Sequence, residues 1–221
     1  MTITDKTFNY CLQFLKEGIT EKEYANKLDF YHKEFGADGP SFNTIVAFGE
    51  HAALPHAQPG ARKLKQGDII TVDYGCFYKG YCSDMTRTFF FGQPQDEELV
   101  KIHEIVLQAH HLQIAAIAPG KSTKEIDKIG RDLITEHGYG QTFAHGTGHG
   151  IGLEIHEAPL LNSVSDTILK EGMIITIEPG IYLEGKGGVR IENDIIVTKD
   201  GYESLNQTDR SLDVYNNTLK N

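Results

Sequence analysis

Two stretches of this chain are near copies of each other. KQGDIITVDYG (residues 65–75) returns as KEGMIITIEPG (residues 170–180), a displacement of 105 positions that puts Ile70 on Ile175, Thr71 on Thr176, Asp73 on Glu178 and Gly75 on Gly180. Upstream, Gly18, Thr20, Glu23 and Gly36 match Gly120, Ser122, Glu125 and Gly138, and LPHAQP (54–59) matches EIHEAP (154–159). A period this long exceeds the roughly 20–50 residues of solenoid and propeller units. It reads instead as two similar halves packed about a pseudo-two-fold axis, their sheets sharing one core. Each half is two helices, a His–x–x–Pro loop and a β-hairpin.

Local signals fill in the halves. Phe8, Cys11, Leu12 and Leu15 recur at helical spacing over residues 5–17, and Gly18 ends the pattern. Thr20–Glu23 and Ser122–Glu125 are capping boxes. They open helices that run to about Phe35 and His137, stopped by Gly36 and Gly138. The longest helix is expected over Asp96–Ala118. Strands are expected at residues 42–48, Asp68–Tyr74, Gly80–Phe91, Met173–Glu178 and Val189–Thr198, with turns at Lys79-Gly80 and Gly185–Gly188. The polar tail from about Asn206 reads as peripheral, and His51, His103, His110, His111 and His137 read as surface or helix-face residues.

Composition narrows the class. A chain of 221 residues can bury a sizeable core unaided, and 39% hydrophobic with 24% charged residues is ordinary for a globular protein. A net charge of −10 argues against a nucleic-acid partner, which needs a basic face. No apolar run approaches about 18 residues, so no membrane partner is expected. Three cysteines (Cys11, Cys76, Cys82) without framework spacing read as free thiols, and with no signal peptide the expected location is cytoplasmic.

The repeat has a chemical consequence. Asp73 and Glu178 stand at equivalent ends of apolar strands, and each hairpin carries a second acid, Asp84 in CSDMTRT and Glu192 in VRIEND. Four carboxylates brought together by paired hairpins cannot all ionise without cations, and a pair of divalent metals resolves this. Between the hairpins lies AHGTGHGIGLEIHEAP (144–159), with His145, His149 and His156 set among glycines. One imidazole, His149, with four carboxylates makes an oxygen-rich site suited to Mn²⁺, with Co²⁺, Zn²⁺ or Fe²⁺ also compatible.

VDYG, SDMTRT, GHGIGLEIHEAP, IEPG and VRIEND, in this order, resemble the M24 metallopeptidases. Within them the likeness is to Xaa-Pro aminopeptidase and prolidase, over residues 10 to 205. The resemblance implies the α+β "pita-bread" (creatinase) fold, its pseudo-two-fold halves placed around a curved antiparallel sheet. It implies that Asp73 binds one metal through both oxygens, Asp84 and Glu192 bridge two metals, and His149 and Glu178 complete the second. His56 and His156 become outer histidines that bind substrate and stabilise the tetrahedral intermediate. His145 holds substrate or orders the site, Arg190 braces the carboxylates, and Glu178 shuttles a proton to the leaving proline nitrogen.

The implied activity is hydrolysis of the bond between an N-terminal residue and proline. The partner is a peptide or dipeptide with proline second, and a homodimer is left open. Such enzymes usually carry a separate N-terminal domain, so residues 1–221 are expected to be one catalytic domain with that domain absent and its first helix clipped. Methionine aminopeptidase shares the fold and ligand types but has a longer insertion where Glu192 follows Glu178 by fourteen residues. A creatinase-like, metal-free hydrolase does not need the full ligand set, and a non-catalytic binding module of this fold would be expected to lose ligands.

Overall fold

The computed structural model describes residues 1–215. The first half runs α1 (Thr2–Cys11), α2 (Glu21–Glu34), β1 (Gly39–Pro40), β2 (Ile45–Phe48), β3 (Ile69–Tyr74), β4 (Cys76–Tyr78), β5 (Tyr81–Cys82) and β6 (Met85–Phe90). The second runs α3 (Glu97–Ala115), α4 (Thr123–Glu136), β7 (Gly148–Gly150), β8 (Glu157–Leu161), β9 (Ile174–Ile177), β10 (Gly180–Leu183), β11 (Gly187–Arg190), β12 (Asn193–Thr198) and β13 (Gly201–Ser204). All pairings are antiparallel, in sheets ordered β2-β3-β6, β13-β12-β9-β7-β8, β1-β4-β5 and β10-β11.

Both capping boxes form. Thr20 accepts from the Glu23 N–H while the Glu23 carboxylate takes the Thr20 N–H, and Ser122 with Glu125 repeats the arrangement. The turn at Lys79-Gly80 is made with positive φ at both residues (50° and 86°), the geometry of a tight hairpin.

Three hydrophobic clusters make the core. The middle one is built jointly: Ile45, Ile69 and Phe90 from the first half meet Ile181, Val189 and Ile191 from the second, under Ile102 and Val106 of α3. Burying each such side chain contributes roughly 1.5–3 kcal/mol, so the halves cannot part without a large loss. Hydrogen bonds cross the same seam: Glu192 N–H to Thr86 O (3.1 Å), Thr88 Oγ1 to Arg190 O (2.8 Å) and Asp84 N–H to an Asp194 carboxylate oxygen (3.0 Å).

Several expectations are corrected. The strand expected over Gly80–Phe91 is interrupted at Ser83-Asp84, and that over Val189–Thr198 at Ile191-Glu192. Gly185–Gly188 is the end of a further hairpin, β10–β11, the counterpart of β4–β5. Asp84 and Glu192 sit at the two strand breaks, buried and facing a cavity. α3 ends at Ala115 rather than Ala118, and α1 starts at Thr2. The tail is not peripheral over its described part. Asn206, Thr208 and Val214 are buried, and Asp5 caps the Thr208 N–H; residues 216–221 lie outside the described residues. His103 and His110 sit on the inner face of α3 and are buried, and His51 is held by Glu21. The three cysteines are free and buried.

Candidate metal centre

All nine residues singled out in the sequence line one cavity of about 340 Å³. Asp73 is the fifth residue of β3, and Glu178 immediately follows β9. Asp84 and Glu192 occupy the two interruptions, so the four acids keep the pseudo-symmetry of the repeat. His149 is the middle residue of β7, between Gly148 and Gly150. A Cβ at Gly148 would lie 2.0 Å from Thr176 O and one at Gly150 2.3 Å from Ala158 O. Only glycine lets β7 press between its neighbours and keep His149 at this depth.

One ligating atom each from Asp84, His149 and Glu192 falls within 4.8 Å of the others. The His149 Nδ1 sits 2.9 Å from Gly150 O, to which it donates, leaving Nε2 as a lone pair 3.5 Å from Glu178 Oε1 and 3.7 Å from Asp84 Oδ2. Burial, with the nearby His156, lowers the His149 pKa to about 4, so the ring is neutral. Asp73 lies at the edge of this group, with Oδ2 accepting from Arg190 Nη2 at 2.6 Å.

Three carboxylate oxygens aimed into the cavity are buried and have no hydrogen-bond partner: Asp73 Oδ1, Asp84 Oδ1 and Glu192 Oε1. Orphaned acceptors of this kind cost on the order of 1–3 kcal/mol each, more if charged. Burial first, then the neighbouring acids, pushes Asp84 and Glu192 well above the usual carboxylate range, and Glu178 up to about 8. A set of crowded, acceptor-only oxygens beside a neutral imidazole fits hard divalent cations.

Around the acids runs a bonded frame. Arg190 also donates to Pro55 O (3.2 Å) and to the Tyr182 hydroxyl (2.8 Å), whose own proton goes to His145 Nε2 (2.9 Å); His145 Nδ1 donates to Gly146 O (2.7 Å). Thr86 takes a bond from Arg190 Nε (3.1 Å) and gives one to Glu192 Oε2 (2.7 Å). Thr176 accepts the His149 N–H and faces Glu178 Oε1 at 3.4 Å. His56 and His156 are exposed at the cavity, with the His156 ring edge-on to His149 at 4.4 Å between centroids. Phe42, Ile45, Ile155 and Leu160 form an apolar wall. Tyr182, Thr86 and Thr176 were not singled out in the sequence. Thr176 lies inside the repeated stretch and Thr86 inside CSDMTRT, whereas Tyr182 belongs to the hairpin that the sequence did not reveal.

Known proteins share this fold. The chain is 46% identical to an uncharacterized peptidase of Bacillus subtilis over 95% of its own length and 59% of the relative's. Among solved structures, an Xaa-Pro dipeptidase from Bacillus anthracis superposes with a TM-score of 0.93 at 48% identity, covering 96% of this chain and 59% of that one. An X-Pro aminopeptidase from Thermotoga maritima gives 0.92 at 41% identity, covering 95% and 62%. The chain thus spans about three fifths of the length of these proteins, and its fold is the pita-bread arrangement. The sequence profile of metallopeptidase family M24 matches residues 1–199, and the chain belongs to that family.

Proposed function

We propose that this chain is the catalytic part of a metal-dependent hydrolase that cuts the bond between an N-terminal residue and proline. The observation that carries this is the set of buried, unpartnered carboxylate oxygens gathered beside a neutral His149 in one cavity. Two divalent cations, Mn²⁺ foremost, would be held by Asp73, Asp84, His149, Glu178 and Glu192. Bound there they supply Lewis acidity and lower the pKa of water. The relatives of known structure, titled Xaa-Pro dipeptidase and X-Pro aminopeptidase, support the choice of bond.

The residues then divide the work. Glu178 takes a proton at Oε2 from the attacking water, its other oxygen facing Thr176, and hands it to the proline nitrogen as the C–N bond breaks. The water's oxygen remains on the carbonyl carbon as part of the new carboxylate. His156 and His56 approach the substrate carbonyl from the open side and donate to the oxygen on which charge develops. The apolar wall of Phe42, Ile45, Ile155 and Leu160 packs against the pyrrolidine ring. Arg190 keeps Asp73 in place, and Tyr182 and His145 keep Arg190 in place. Reduced, buried cysteines suit the cytoplasm as its location.

The test is direct. The chain loaded with Mn²⁺ is expected to cleave Gly-Pro or a Gly-Pro-extended peptide, and Glu178→Gln is expected to bind metal yet lose turnover by roughly 10²–10⁴-fold. Cleavage of peptides lacking proline at equal rates would overturn the substrate assignment. Parent-like turnover in Glu178→Gln would overturn the proton route.

A further inference from the structure

Behind the histidine-bearing segment, on the side away from the cavity, lies a polar cluster that none of the proposed chemistry uses. Thr147 sits between His145 and His149 and is completely buried. Its N–H donates to Asp127 Oδ1 (3.2 Å), its hydroxyl accepts from Gln113 Nε2 (2.7 Å), and its carbonyl accepts the Glu178 N–H (2.7 Å). Asp127 is in turn gripped by Arg131 one helical turn on, through Nε and Nη2 at 2.8 Å each. Arg131 completes its valences on the carbonyls of Phe143 (3.0 Å) and His145 (2.8 Å), with its guanidinium over the Phe143 ring at 4.2 Å.

Gly130 belongs to the same device. It lies inside α4, where glycine is about 1 kcal/mol worse than alanine. Its φ is not positive, so no turn demands it. A Cβ built there would stand 2.3 Å from Gln113 Nε2 and 2.4 Å from its Cδ. The missing side chain is therefore the space through which the Gln113 amide passes from α3 to Thr147.

We propose that Gln113, Asp127 and Arg131 are positioning residues for the metal centre. From α3 and α4 they fix Thr147, and through it the placement of His149 on one side and of the Glu178 backbone on the other. Gly130 is the clearance that lets Gln113 reach. The device has two faces, joined at the Asp127–Arg131 pair. Gln113 and Asp127 hold the ligand-bearing side, whereas Arg131 holds the carbonyls next to His145, on the substrate side. The inference rests on the proposed metal-dependent activity, but its main readout is metal binding, which needs no turnover.

The experiment measures Mn²⁺ affinity by titration calorimetry on the metal-free full chain, with kcat and KM on a Gly-Pro substrate and amide hydrogen exchange alongside. Gly130→Ala is the decisive variant because it should strengthen helix α4 while pushing Gln113 aside. Gly130→Ala and Gln113→Leu are each expected to keep the fold, to lose exchange protection at Thr147 and Glu178, and to weaken Mn²⁺ about 10-fold or more, the usual cost of a lost outer partner. The double variant should be no worse than Gln113→Leu alone, since both remove one contact. Arg131→Gln, which loosens Asp127 and frees the Phe143 and His145 carbonyls, should weaken Mn²⁺ less than Gln113→Leu does and raise KM, with Arg131→Lys intermediate.

Parent-like Mn²⁺ affinity in Gly130→Ala and Gln113→Leu overturns the proposal, as does lost exchange protection without a change in affinity. A parent chain that binds Mn²⁺ but cuts no Xaa-Pro bond refutes the substrate reading while leaving this comparison of affinities intact. A parent that binds no metal refutes both.

Discussion

The halves of this molecule share a plan and differ in what they offer the cavity. In each, a helix that opens on a capping box leads to a loop bearing a cavity histidine, and a buried carboxylate on that helix holds the loop. In the first half Glu21 takes the N–H groups of Phe48 (2.9 Å) and Gly60 (3.0 Å) and the His51 Nδ1 (2.8 Å), bracketing the loop with His56. In the second half Asp127 and Arg131 bracket the loop with His145. Each half also gives two acids. The difference lies in the strand beside them: next to β3, β2 turns the apolar Ile45 to the cavity, while next to β9, β7 turns His149. The shared architecture carries the symmetric acids, and the difference in one strand separates an apolar wall from an imidazole.

Substituting the symmetric acids tests whether the halves contribute equally. Asp84→Asn and Glu192→Gln should each weaken Mn²⁺ beyond the roughly 10–100-fold typical of an outer partner and abolish turnover, as titration calorimetry and an Xaa-Pro assay would record. The effect on the metal-free fold should have the opposite sign. A carboxyl whose folded pKa is raised destabilises the fold at any pH above its unfolded value, because ionisation is easier once unfolded. Asp84 is raised by burial and by Glu192, so Asp84→Asn should increase metal-free stability at pH 7 while losing the stabilisation that Mn²⁺ confers. A metal-free melting temperature unchanged or lowered in Asp84→Asn would break this account.

The halves also store protonation differently. His32 on α2 and His103 on α3 are buried, and burial lowers both pKa values to about 4; burial, with Arg210 and Arg87 nearby, also holds His110 well below the ordinary imidazole value. In the unfolded chain these imidazoles protonate near 6.5. The stability these histidines contribute is therefore complete above pH 6.5 and falls as the pH drops toward 4. A depression from 6.5 to about 4 corresponds to about 3 kcal/mol for His103 and similarly for His32. Denaturant unfolding at pH 7 and pH 4.5 should show the loss as a difference between parent and His variants, since the raised carboxyls contribute with the opposite sign in both. His32→Phe, keeping the stacking on Tyr74 at 4.7 Å, should flatten the slope from the first half only.

Glu21→Gln probes the first-half clamp. The amide leaves one of three donors without an acceptor, a cost of about 1–3 kcal/mol seen in chemical denaturation. Mn²⁺ affinity should change far less than on disturbing Gln113, because no ligand sits in the loop that Glu21 holds. Equal losses of affinity from the two clamps would erase the functional distinction between the halves.

The sequence revealed those features that repeat or that obey a local rule. Both capping boxes, the four acids and His149 were legible because a 105-residue displacement aligned Asp73 with Glu178 and because short motifs surround the others. The breaks at Ser83-Asp84 and Ile191-Glu192 were not, since β-branched and aromatic residues flank them and no local turn signal marks an interruption. Burial of His103 and His110 was equally hidden: both lie within the helical pattern of α3, and only the seating of that helix across both sheets puts them inside. Tyr182 could not be found because its role is defined by Arg190 and His145, eight and thirty-seven positions away.

The smallest test concerns the caps themselves, where the halves look most alike. Thr20→Ala should cost about 1 kcal/mol, the usual value of a lost N-cap. Ser122 accepts the Lys124 N–H, and its hydroxyl also donates to the Asp166 carboxylate, tying the start of α4 to residues 165–167, where Thr123 makes further bonds. Thr20 has no such second partner, since its hydroxyl turns to Glu23 within its own helix. Ser122→Ala should therefore destabilise more than Thr20→Ala in parallel thermal unfolding. Equal shifts would mean that the Asp166 contact adds nothing and that the two helix starts are energetically interchangeable.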